Sequence, residues 1–103
     1  MALGEGKGGS GLQFGTPSSV SVGVTSTAIL TAANAVLCEY ISLVNDSDQT
    51  IYVAIGEAAQ MNKGIRLNAG GGSIVFEMPT IPTVAINAIC ASGSKNLCLQ
   101  VAS

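Results

Sequence analysis

Residues 38–56 read CEYISLVNDSDQTIYVAIG, and their pattern decides what kind of fold the chain can adopt. Two runs of alternating, β-branched residues flank a cluster of Asn, Asp and Ser, and neither run carries the three-to-four-residue apolar spacing of a helix. In the first run Ile41 and Leu43 share one face while Tyr40 and Val44 share the other, so a strand covered on both sides is expected. In the second, Ile51, Val53 and Ile55 align on one face. Residues 45–49 between them form a turn whose Asn and Asp side chains can bond their own backbone. The two strands are therefore expected to pair as a β-hairpin.

Outward from this segment the same grammar repeats. On the N-terminal side, VSVGV (20–24) places Val20, Val22 and Val24 on one face, and TAILT (27–31) follows after a break. On the C-terminal side, GEAAQMNKG (56–64) is a glycine-bounded loop with room for one helical turn at 57–60. IRL (65–67) and SIVFE (73–77) are short strands on either side of NAGGG. Pro79 and Pro82 in MPTIPT bar a central strand and predict an extended connection or an edge. VAINAICA (84–91) and NLCLQVA (96–102) predict a last hairpin around SGSK. The sum is an all-β fold of about eight short antiparallel strands in a jelly-roll-like β-sandwich over residues 20–103. Residues 1–19, MALGEGKGGSGLQFGTPSS, predict a flexible Gly-rich N-terminal arm, with Leu12 and Phe14 as its anchors on a neighbouring subunit.

Composition narrows the function. The 103 residues suffice for one domain with a real core, yet only 10% are charged, against roughly 25% in an ordinary soluble domain. A surface so poor in charge suits a protein packed against other chains. The net charge is −2, and the cations Lys7, Lys63, Arg66 and Lys95 are scattered, so no basic stripe offers itself to phosphates. Trp is absent and four aromatics make no stacking platform, so no direct contact with nucleic acid is expected. The uncharged stretch between Lys7 and Glu39 is interrupted by Ser21, Thr25, Thr27, Thr31 and Asn34, which excludes a membrane span. The opening MALGEGKGGSG carries no apolar segment of a secretory signal, so synthesis in the cytoplasm is expected.

Chemistry is equally sparse. There is no histidine, and no serine stands in a GxSxG or SxxK setting. The six carboxylates Glu5, Glu39, Asp46, Asp48, Glu57 and Glu77 lack the aromatic lining of a sugar cleft. No catalytic residue, cofactor or metal site is expected. Asp46 and Asp48 stand two apart as in a calcium loop, but the glycine and distal glutamate such a loop needs are missing. Gly70, Gly71 and Gly72 precede a strand, with neither the lysine nor the helix of a phosphate cradle, and are expected to form a turn. Cys38, Cys90 and Cys98 make no zinc set and are expected as free, buried thiols. A last hairpin centred on Ser94 would set Cys90 opposite Cys98, although a cytoplasmic origin argues against a disulfide.

Residues 24–102, about three quarters of the chain, resemble small structural proteins of tailed bacteriophages. The likeness lies in the opening TSTAILTAAN, the segment ISLVNDSDQTIYVAIG, the turn NKGIRLNAGG and the terminal INAICASGSKNLCLQV. It implies a β-sandwich virion protein on the capsid exterior, forming homo-oligomers, often trimers. The implied role is that of a decoration or cement protein bridging major capsid protein subunits. The alternative is a tail-tip or head-fibre module that binds the host surface or another virion protein. The expected partner-binding residues are Leu12 and Phe14 on the arm with Met61, Lys63 and Arg66 around the 56–64 loop.

Overall fold

The computed structural model describes residues 12–103. Its elements are β1 (Ser18–Val22), β2 (Thr27–Leu30), a one-turn helix α1 (Ala32–Ala35), β3 (Tyr40–Asn45), β4 (Ile51–Ile55), β5 (Ile65–Leu67), β6 (Ser73–Glu77), β7 (Ile86–Cys90) and β8 (Lys95–Ala102). All eight expected strand segments form. They make two four-stranded sheets, β1-β8-β3-β6 and β2-β7-β4-β5. The first strand pairs the last, the second the seventh, the third the sixth and the fourth the fifth, all antiparallel. The chain is thus one long hairpin doubled back at β4–β5 and rolled, so that β8 lies beside β3 and β7 beside β4. This is the double Greek key of a jelly roll.

The roll overturns each hairpin expected from local pattern, at β3–β4 and at β7–β8. It likewise separates β5 from β6, because in each case the two strands lie in different sheets. Alternation dictates which side chains turn inward but not which strand supplies the hydrogen bonds. Crossing to the opposite sheet lets the next strand lay its own apolar face on the same core. Cys90 and Cys98 accordingly sit in opposite sheets, Cys90 beside Ile51 and Cys98 between Ser19 and Val44. All three cysteines are free.

Ile41 and Leu43 from one sheet, with Ile51, Val53, Ile86 and Ala88 from the other, are fully buried. The expectation that β3 is covered on both sides does not hold, since outward-facing Tyr40, Ser42 and Val44 are only half-buried. The second sheet does carry a cover. Residues 57–60 form no helix; instead Asn87 Nδ2 donates to the Glu57 carbonyl (2.7 Å) and the Ala59 N–H donates to Ser26 Oγ (2.8 Å), drawing the 56–64 loop in until Ala59 is buried. The helical turn occurs earlier, where Thr31 caps α1 by accepting from the Asn34 N–H (3.3 Å).

The C-terminal part of the expected arm belongs to the sheet. The Gln13 N–H donates to the Ser103 carbonyl (2.8 Å) and the Gly15 N–H to that of Val101 (2.9 Å), while Ser18 and Ser19 are already in β1. Residues 1–11 of that arm lie outside the described residues. No helix among the described residues is long and apolar enough to cross a membrane.

One buried polar side chain joins the sheets. Asn45, at the end of β3, donates from Nδ2 to the carbonyls of Gln49 (2.7 Å) and Leu67 (2.9 Å), and its Oδ1 accepts from Ser47 Oγ (2.6 Å). Its backbone bonds the glycine turn on both sides, its N–H to Gly72 O and its carbonyl to the Gly71 N–H, each at 2.8 Å. The NDSDQ and NAGGG crossovers are thereby stacked on each other. Gly71 has φ +117 with open space around it, whereas a Cβ on Gly72 would strike the Asn68 backbone.

Asn45→Ala removes the side-chain donor to the Leu67 carbonyl and one of two donors to that of Gln49, which Ser47 Oγ still reaches (3.0 Å), and is expected to cost ~1–3 kcal/mol in urea unfolding. Gly71→Ala is expected to cost about 1–3 kcal/mol through backbone strain alone, and Gly72→Ala more, because there the backbone itself must move. With burial protecting Cys38 and Cys90, a thiol reagent on the native protein should label half-buried Cys98 first, and the other two only after denaturation.

Candidate functional site

The β2–β3 connection and the chain leading into β1 meet at one end of the sandwich. α1 buries Ala35, and its carbonyls hold the following turn, with the Val36 N–H on Ala32 O and the Leu37 N–H on Asn34 O, both 3.1 Å. That turn leaves Val36 57% and Leu37 69% exposed. Beside it, residues 12–15 are clamped along the end of β8, leaving Leu12 40% and Phe14 54% exposed. Phe14 stacks edge-on against Tyr40, with ring centroids 5.2 Å apart. Phe14, Leu30, Asn34, Leu37, Cys38 and Val101 border an open groove of about 500 Å³ between the two segments. Burial pushes the Cys38 thiol above its ordinary pKa, and its Sγ donates to Asn34 O (3.4 Å), which disfavours the nucleophilic thiolate.

The residues singled out from sequence therefore fall into two groups in different sheets. Leu12 and Phe14 stand on the β8 end of the first sheet, and the structure brings Val36 and Leu37 to the same end. Those two were missed because AANAVL has no strand alternation and reads as a bare connection. The available signal was a capping threonine ahead of two large aliphatics in a stretch too short to bury them. Met61, Lys63 and Arg66 belong to the second sheet and its cover. Met61 is half-buried and Lys63 exposed, while Arg66 lies on edge strand β5 opposite Tyr52 and donates from Nε to Asn68 Oδ1 (2.9 Å). Tyr52 donates its hydroxyl to Asn62 Oδ1 (3.0 Å).

The calcium-like pair is employed otherwise. Lys95 Nζ lies 2.7 Å from Asp48 Oδ1, and Asn96 Nδ2 lies 3.5 Å from Asp46 Oδ2, tying the β3–β4 crossover to the start of β8. Among the described residues no three His, Cys, Asp or Glu side chains group as a metal holder. The hydrogen bond from Lys95, and then its charge, hold the Asp48 carboxyl below the usual aspartate range. A depressed carboxylate pKa adds stability above the unfolded value, and that stability is lost as the pH falls below about 4. Asp48→Asn is expected to flatten this acid limb of a melting-temperature titration while changing little at neutral pH, since the Asp48 carboxylate is largely exposed to solvent.

No family model, curated protein or solved structure matches this chain.

Proposed function

We propose that this chain is a non-enzymatic virion protein of the decoration or cement type, which binds the exterior of a tailed-phage head and bridges neighbouring major capsid subunits. A jelly roll hosts many activities, so the fold does not carry the reading. The observation that carries it is the end cluster of Leu12, Phe14, Val36 and Leu37, large apolar side chains standing in solvent on a surface with few charges. Contiguous exposed apolar side chains mark interaction surfaces. Phe14, held by the β8 end and by Tyr40, is pre-ordered as an anchor and loses little freedom on docking. A ligand of the assembled shell that ignores its separated subunits stabilises the shell by mass action, and many copies on one shell multiply a small contribution. The bridging unit is a homo-oligomer, a trimer on the resemblance. Residues Met61, Lys63 and Arg66 would form a second, cationic contact.

The alternative is a tail-tip or head-fibre module that binds a host polysaccharide. Such a site favours clustered exposed aromatics, and here only Phe14 is exposed, edge-on against half-buried Tyr40, while half-buried Tyr52 lies in the other sheet. Phe14→Ser with Leu37→Ser is expected to weaken binding to capsids of the encoding virus, stripped of this chain, by roughly 30-fold, equivalent to about 2 kcal/mol. Both side chains are exposed, so the fold should persist. Co-sedimentation measures the effect; full-strength binding by the double variant, or binding to host polysaccharide and not to capsids, would sink the cement reading.

A further inference from the structure

Each four-stranded sheet has two outer strands, and an unprotected outer strand recruits another strand. Three of the four edges are blunted. β5 is three residues long with Arg66 at its centre, β2 is four residues with a register shift between Ala28 and Leu30, and β6 ends in Glu77 with Pro79 close behind. β1 carries no charge and no register shift, and its one guard is Pro17, immediately before Ser18. Its five residues, SSVSV, are uncharged and keep an unbroken register from Ser18 opposite Leu99 to Val22 opposite Lys95. The nearest cation, Lys95, is neutralised by Asp48. Among the described residues β1 is hydrogen-bonded on one side alone, to β8, while Gln13 and Gly15 bond the end of β8 on the far side of Pro17 and one residue out of that register.

We propose that the free edge of β1 pairs with the β1 edge of a second copy about a two-fold axis, joining two first sheets into one continuous eight-stranded sheet. A two-fold axis normal to the sheet reverses strand direction, so the contact is antiparallel, as every pairing within the sheet already is. Such a contact sets a surface against itself, and any charge near the axis would meet its like. β5 fails this condition, because its central Arg66 would face a second Arg66. β1 meets it. With the axis through Val20, Ser19 lies opposite Ser21 and Ser18 opposite Val22 of the second copy. Ser19 and Ser21 are exposed on the outward face, where their small hydroxyls can bond across the seam, while half-buried Val20 and buried Val22 stay on the core side. The contact forms between free copies and does not depend on capsid binding. It doubles whatever unit otherwise exists, giving a dimer from a monomer or a hexamer from a trimer.

The test uses the full chain and two double variants, Ser19→Lys with Ser21→Lys, and Ser19→Glu with Ser21→Glu. The substituted side chains point to solvent, and an unchanged thermal melt confirms folding. Each variant alone sets like charges across the seam and is expected to show half the mass of the wild-type assembly in analytical ultracentrifugation. An equimolar mixture sets lysine against glutamate and is expected to restore the full mass. A wild-type chain that stays monomeric at its highest soluble concentration overturns the proposal, as does a mass indifferent to both variants. So does association appearing only after residues 1–11 are deleted, which would assign the edge to the chain's own terminus. The capsid-binding assay with the lysine variant separates the two ideas: binding kept while mass halves leaves the cement reading intact and localises self-association to β1.

Discussion

The amide of Asn45 is buried where the two sheets come together, and most of the architecture at that end can be traced from it. An unpaired buried amide costs far more than a paired one returns, so the site tolerates only arrangements that satisfy it. Here the satisfied arrangement reaches Gln49 and Leu67 on the side of the second sheet, while the backbone of Asn45 holds Gly71 and Gly72 at the entry to the first. Two crossovers that would otherwise be independent loops become one structure. The depth of the glycine turn follows, since Gly72 must lie against the Asn68 backbone where no Cβ fits. The glycine triplet, expected as a turn between two strands of one hairpin, is a corner that passes the chain from one sheet to the other and lets the rolled hairpin close.

Closing the roll leaves its two outer surfaces unequal. The second sheet is covered by its own 56–64 loop, drawn in by Asn87 and Ser26. The first sheet keeps an open outer face of Ser, Asn, Gln, Val and Cys side chains, and its β1 edge has no protecting charge. At the end away from Asn45, α1 buries only an alanine and holds Val36 and Leu37 outward beside Phe14. The uncovered apolar and neutral surface thus lies on the first sheet and at the α1 end. A chain with so few charged residues has little means of solvating them.

Much of this was legible in advance. Ile41 with Leu43, Ile51 with Val53, and Leu97 with Leu99 announce strands and their inward faces, because side-chain period is a local property that backbone geometry enforces. The strand partners were not legible. ISLVN and TIYVAI alternate as well in a hairpin as in a crossover, and the deciding bonds of Asn45 span residues far apart in sequence, such as Leu67. Phe14 and Leu12 stood out as apolar residues in a glycine-rich stretch. Their companions Val36 and Leu37 did not, since their exposure follows from the direction in which α1 leaves β2.

By itself the sequence determined an all-β chain, the approximate positions of eight strands, the alternating inward residues of strands such as 51–55, and the scarcity of groups able to do chemistry. These follow from periodicity, glycine and proline placement, and composition, all of which act within a few residues. Tertiary structure alone decided which strands pair within the jelly-roll-like sandwich, that Cys90 and Cys98 part into opposite sheets, and that four distant apolar residues share one exposed end. Those outcomes depend on non-local pairing and on which buried polar groups find partners, and a one-dimensional pattern does not encode either.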